Sequence, residues 1–157
     1  MKNDARRHSF RNKKAFAEYF VVERFEAGLV LVGTEVKSIR AGHIAFKDTF
    51  AKFNGHELFL EGLYIAPYEM GNVFNHDPER DRKLLLNRQE LRRLKTKVEE
   101  KGYTIVPLEV YFDSRGRVKV QIGLVRGKRL YDKRDDIKRR DEDREMQREF
   151  KDKWKGN

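Results

Sequence analysis

Two kinds of chemistry could be sought in this sequence, proton transfer and phosphate binding, and its side chains favour the second. His76 and Asp77 are adjacent, and an imidazole beside a carboxylate could move protons. Adjacent loop residues rarely point into one site, and no nucleophile or third orienting group stands near them in the sequence. A turn built on the Asp77 side chain accounts for the pair equally well. The four histidines, His8, His43, His56 and His76, lack metal-ligand spacing. No glycine-rich phosphate loop and no Gly-x-Ser-x-Gly elbow is present. An enzyme is therefore not expected, nor a metal or other cofactor.

Cations are another matter. Arg80, Arg82 and Lys83 lead through Leu84-Leu85-Leu86 into a stretch with Arg88, Arg92, Arg93, Lys95 and Lys97. A solvated helix face is the plain explanation, but such density beside a loop also suits contact with RNA phosphates. Leu85 reads as core or as the apolar residue that staples a helix entry, and Glu26 as a turn residue. The chain of 157 residues has a net charge of +10, which favours polyanionic partners through release of condensed counterions. No apolar run approaches the roughly 20 residues that span a bilayer, and no secretory segment follows the basic start. With no cysteine, disulfides and thiolate metal sites are excluded, and the cytoplasm is the expected compartment.

The elements that must position these residues follow from local pattern. The first 14 residues, ending in Asn12-Lys13-Lys14, are polar and read as a loose basic arm. Tyr19 to Phe25 and Leu29 to Val32 are β-branched and aromatic, one strand bent or bulged at Glu26-Ala27-Gly28. Thr34 to Gly42 has a capping residue at its start and glycine at its end, a two-turn helix. A strand from Ile44 to Phe53, an Asn54-Gly55 turn and a strand from Glu57 to Leu60 form a hairpin. Gly71 to Arg82 reads as a long loop. Asn87 and Glu90 make a capping box for a helix that ends at Gly102, with Leu91, Leu94 and Val98 on its core face. Two alternating strands follow, with Val106, Leu108, Val110 and Phe112, then Val118, Val120, Ile122 and Leu124, turned inward. Pro107 lacks a donor and belongs at an edge or bulge.

Past Gly127 the composition changes. Residues 128–157 are dominated by charge, with Ile137, Met146, Phe150 and Trp154 the sizeable apolar side chains beyond Asp132. So little apolar surface cannot offset ordering entropy, so a tail disordered when free and helical when bound is expected. The expected fold is mainly β with α: a small barrel resembling the oligonucleotide/oligosaccharide-binding (OB) fold over 1–127, two to three helices, and the basic tail. A generic OB-fold binder of single-stranded RNA, or a translation factor, would share these features.

The motifs are specific enough to suggest a family. Asn12-Lys13-Lys14-Ala15, Phe25-Glu26-Ala27-Gly28, Gly33-Thr34-Glu35-Val36-Lys37-Ser38, Asn75-His76-Asp77-Pro78, Arg82-Lys83-Leu84-Leu85-Leu86 and Tyr131-Asp132-Lys133-Arg134 occur in one order across nearly the whole chain. In this the chain resembles the small protein B (SmpB) family, the tmRNA-binding proteins of bacterial trans-translation. The resemblance implies a barrel that binds the tRNA-like domain of tmRNA, with a tail that enters the ribosomal decoding site and empty mRNA channel. It implies RNA binding at Asn12, Glu26 and Leu85, to which the cation pattern adds Lys13, Lys14, Arg82, Lys83, Arg88 and Arg92. It implies ribosome contacts for Lys128, Arg129, Tyr131, Asp132, Lys133, Arg134 and Lys138. Elongation factor Tu and alanyl-tRNA synthetase are implied partners through tmRNA.

Overall fold

The computed structural model describes residues 9–69, 75–100 and 102–128. In chain order the elements are β1 (Ser9–Arg11), α1 (Lys13–Glu18), β2 (Tyr19–Leu29), α2 (Gly33–Arg40), β3 (Ile44–Asn54) and β4 (Glu57–Ile65). β5 (Arg82–Leu85), α3 (Arg88–Glu99), β6 (Tyr103–Phe112) and β7 (Val118–Gly127) complete them. All strand pairings are antiparallel. Because β6 pairs with both β3 and β7, strands β2 to β7 close into a ring of six, and β1 lies along the part of β6 that β3 leaves uncovered. The small barrel expected from the sequence is present, with six strands where an OB barrel has five.

Local signals placed several elements well. The Asn87 side chain accepts from the Glu90 backbone at 2.8 Å, and the Glu90 carboxylate accepts from the Asn87 N–H, so the capping box of α3 is complete. Asn54 ends β3, and the two-residue turn is Gly55-His56, one position later than expected, with Gly55 at φ +64°. That conformation favours glycine, which fixes where the hairpin reverses.

Other elements depart from expectation. β2 runs unbroken through Glu26-Ala27-Gly28, and its irregularity lies between Val21 and Glu23. The N-terminal arm is structured from Ser9: β1 pairs with Glu109–Tyr111 of β6, and Asn12 caps α1. Charge hid this, because a short helix between charged residues packs outside the barrel on Val106, Leu108 and Val125 through buried Ala15 and half-buried Phe16. A bulge between Pro107 and Glu109 explains that outer cluster. One extra residue swaps faces, so Val106 and Leu108 look outward under α1 while Ile105, Val110 and Phe112 fill the interior. Pro107 sits at the bulge, as its missing donor requires.

The interior is lined by Phe25, Ala27, Leu29, Leu58, Leu60, Leu84, Val120, Ile122 and Leu124, with Ile39 of α2 and Leu94 of α3 inserted fully buried. The end of the expected long loop is instead β5, paired with β2 and β4. Arg82, expected at the RNA surface, is fully buried in that strand. Its Nε donates to Glu35 of α2 at 2.5 Å, and its other nitrogens reach the carbonyls of Leu63 (2.6 Å) and Pro78 (3.0 Å). Arg82 therefore holds α2, β4 and the 75–81 segment together and cannot meet a phosphate. Arg80 joins it, pairing with Glu35 and donating to the Val30 carbonyl.

Candidate RNA-binding surface

Strand pairing brings Glu26 and Leu85, 59 positions apart in sequence, onto one outer face. In β2, Phe25, Ala27 and Leu29 point inward, so Glu26 and Gly28 point outward; Gly28 pairs with Leu85 of β5. Leu84 takes the core position and Leu85 is 51% exposed, neither core nor staple. A Cβ at Gly28 would stand 3.3 Å from that of Leu85, so the absence of a side chain lets Leu85 lie against the β2 backbone.

The Glu26 carboxylate accepts a hydrogen bond from the hydroxyl of Tyr111 on β6. In register, Glu26 lies opposite Gln121 of β7, and Gln121 opposite Glu109 of β6. Burial, then the Glu26 hydrogen bond and charge, push the Tyr111 phenol above its ordinary value, so it remains a donor. Held on one side, Glu26 offers its second oxygen to donors outside, as base amino and imino groups would require. Tyr111 was missed at the sequence level because it reads as one more outward residue of an alternating strand.

The other expected RNA residues divide. Asn12 is only 5% exposed: it accepts from Ala15 N–H at 3.2 Å and donates to the Pro107 carbonyl at 2.8 Å. Its position is that of a bracket between α1 and β6. Lys13 and Lys14 are exposed on α1, Lys14 beside Asp48 at 3.1 Å. Lys83 faces outward, 3.5 Å from Glu57. Arg88 and Arg92 are exposed on α3. Lys128 lies over the ring of Phe20, itself 54% exposed, at 4.9 Å. Arg129, Tyr131, Asp132, Lys133, Arg134 and Lys138 lie outside the described residues, as does the expected order of the tail.

His76 and Asp77 do not form a proton-transfer pair. His76 Nε2 lies 2.8 Å from the Ile65 carbonyl, which can only accept, so Nε2 carries a proton and Nδ1 accepts from the Thr34 hydroxyl at 2.8 Å. Asp77 accepts from Glu79 N–H in the expected turn. Among the described residues no group of three or more potential ligands could hold a metal, and no helix is long and apolar enough to cross a membrane.

Comparison with known proteins matches the sequence and the fold of this chain to one family. The model of the SmpB protein family covers residues 9–152. The SsrA-binding protein of Acetivibrio thermocellus is 50% identical over 99% of this chain and all of its own length. That of Treponema denticola is 57% identical over 90% of this chain and 91% of its own. A solved chain described under "tmRNA-SmpB: a journey to the center of the bacterial ribosome" is 56% identical, covers 76% of this chain and 84% of its own, and superposes with a TM-score of 0.66. The family model, the near full-length identity and the shared fold agree: this chain belongs to the SmpB family.

Proposed function

We propose that this protein binds SsrA RNA (tmRNA) and serves trans-translation, the rescue of stalled ribosomes. Similarity to SsrA-binding proteins along the entire chain carries this reading. The barrel grips the tRNA-like domain through the Glu26–Leu85 face, flanked by Lys13, Lys14, Lys83, Arg88 and Arg92. Leu85 supplies an apolar seat for an unstacked base or sugar, and Glu26 accepts from base edges. Residues beyond Lys128, Tyr131 and Asp132-Lys133-Arg134 among them, act on the ribosome, in the decoding site and empty mRNA channel. Elongation factor Tu and alanyl-tRNA synthetase meet the protein through the RNA, in the cytoplasm.

Glu26→Ala and Leu85→Ala test the face. Each should weaken binding to the tRNA-like RNA by about 1–3 kcal/mol, roughly 5- to 150-fold, with an unchanged β circular dichroism spectrum. Wild-type affinity in both variants would remove this face from the RNA site. Equal affinity of the wild type for an unstructured RNA of the same length would reject the tmRNA reading in favour of a generic single-strand binder.

Salt supplies a second measure. Log K should fall linearly with log salt, by about 0.7 to 0.9 per neutralised phosphate. Lys83→Ala should reduce the slope by about one contact's worth. Conservative replacement of Arg82 should leave the slope unchanged, since its guanidinium is enclosed by Glu35 and backbone carbonyls. A slope near zero in the wild type would contradict phosphate binding.

A further inference from the structure

A groove of about 560 Å³ runs between α3 and the β3–β4 turn. Phe53, Leu86 and Leu91 contribute its apolar surface, and His56 of the turn and Arg88 and Arg92 of α3 line it as well. Lys95 ties the helix to the turn by donating to the Gly55 carbonyl at 3.1 Å. Arg88, Leu91, Arg92 and Lys95 follow the i, i+3, i+4, i+7 spacing of one helix stripe, which gives this stripe of α3 to the groove.

The cations of α3 are not equivalent. Arg93 pairs with Glu23 at 2.9 Å, Lys97 with Glu100 at 3.6 Å, and Lys95 is bound to the turn. The guanidinium groups of Arg88 and Arg92, one helical turn apart, have no hydrogen bond or ion pair among the described residues; the Thr96 hydroxyl donates to the Arg92 main-chain carbonyl alone. Two uncompensated guanidinium groups over an apolar, aromatic floor ask for a ligand that is anionic at one end and flat and apolar at the other. A nucleotide has that chemistry, whereas an acidic peptide would use the cations and leave the floor uncovered. The volume lies within the ~300–1,000 Å³ typical of small-ligand pockets.

We propose that this groove binds one unpaired ribonucleotide, its base against Phe53 and His56 and its phosphate between Arg88 and Arg92. The inference rests on the reading that the protein binds RNA, and adds a seat separate from the Glu26–Leu85 face. Leu85 faces outward from β5, and the next residue, Leu86, lines the groove. One RNA could therefore engage both at once, with a nucleotide turned out of its stack into the groove.

A three-nucleotide oligoadenylate tests the groove without the folded RNA. Titrated into the full-length protein and followed by NMR, it should shift His56, Leu91, Arg88 and Arg92 together. Arg88→Ala/Arg92→Ala should weaken binding at least tenfold and reduce the salt slope by roughly 0.7, the single-strand value for the one phosphate held between them. Lys97→Ala on the same helix should change neither. Phe53→Leu and His56→Ala should weaken binding and leave the slope intact; His56 is exposed, so its replacement avoids loss of core packing. The proposal is overturned if the double arginine variant keeps its slope, if ribose 5-phosphate binds as tightly as the trinucleotide, or if oligoglutamate displaces the trinucleotide at equal concentration. Failure here is separable from failure of the proposed function. A double variant that binds trinucleotide and tmRNA like the wild type, while Glu26→Ala loses tmRNA, defeats the groove alone. Trinucleotide binding with no preference for tmRNA supports the groove and defeats the proposed function.

Discussion

A chain ending at Lys128 should bind the isolated tRNA-like domain of tmRNA within about threefold of the full-length affinity, under ~0.7 kcal/mol, yet fail to support tagging of stalled nascent chains. The barrel gives the reason for the first half. Its ring closes with β7, which ends at Gly127, and the last residue of either core cluster is Val125. Ending at Lys128 keeps its contact with the Phe20 ring. Charge points the same way: residues 129–157 hold 11 Lys and Arg against 9 Asp and Glu, so the surplus of +10 resides mostly in residues 1–128. The tail expected to be basic is thus close to balanced, and its removal takes little long-range attraction from the body. Under the proposed function its part is specific contact on the ribosome, with Tyr131 stacking and Lys133 and Arg134 meeting phosphate. Replacing Asp132, Lys133 and Arg134 together should reproduce the loss of tagging. Gel-shift affinity and tag transfer on a message without a stop codon decide the matter. Equal losses in the two assays would place the tail in the primary RNA site.

The largest effect on stability should come from Glu35. Its carboxylate is fully buried and accepts from Arg82, Arg80 and the Val32 N–H, the last at 2.9 Å. Burial opposes its charge, and the hydrogen bonds from Arg80, Val32 and Arg82 outweigh that, leaving its pKa below the ordinary 4.5. Removing one member of a buried pair leaves the other uncompensated, so Glu35→Ala should destabilise the protein by about 3–5 kcal/mol. At roughly 2–4 °C per kcal/mol for a domain of this size, the midpoint should fall by on the order of 10 °C. Glu35→Met/Arg82→Met should lose less than the two single changes combined, because no charge stays buried without its partner.

The pH dependence has a definite sign. A carboxylate whose pKa is depressed on folding adds stability above its unfolded value, lost as pH falls through the folded value. Wild-type stability should therefore decline below about pH 4.5, and Glu35→Gln should flatten this part of the profile. Denaturant midpoints measured across that window check it. A Glu35→Ala midpoint within 2 °C of the wild type would show that the triad does not hold the barrel together.

Local chemistry determined much of this protein by itself. The Asn87–Glu90 box, the Asn54-Gly55 reversal, the alternation of β7 and the Pro107 irregularity each depend on residues within a turn or two of one another, and each stands close to where the sequence put it. The ordered motifs also pointed to the family. Sequence could not assign faces within Leu84-Leu85-Leu86, because three identical side chains carry no period; pairing with Gly28 of β2 and Leu58 of β4 turned Leu84 in and Leu85 out. It could not distinguish Arg82 from Arg88, since both are cations in one basic run. Only the approach of α2 placed the buried Glu35 against Arg82 and gave that charge a structural partner, while Arg88 and Arg92 stayed outside. Tyr111 reached Glu26 the same way, across strands 85 positions apart. Caps and turns are short-range and legible along the chain, but the side of the barrel on which a charge lies is set by non-local pairing.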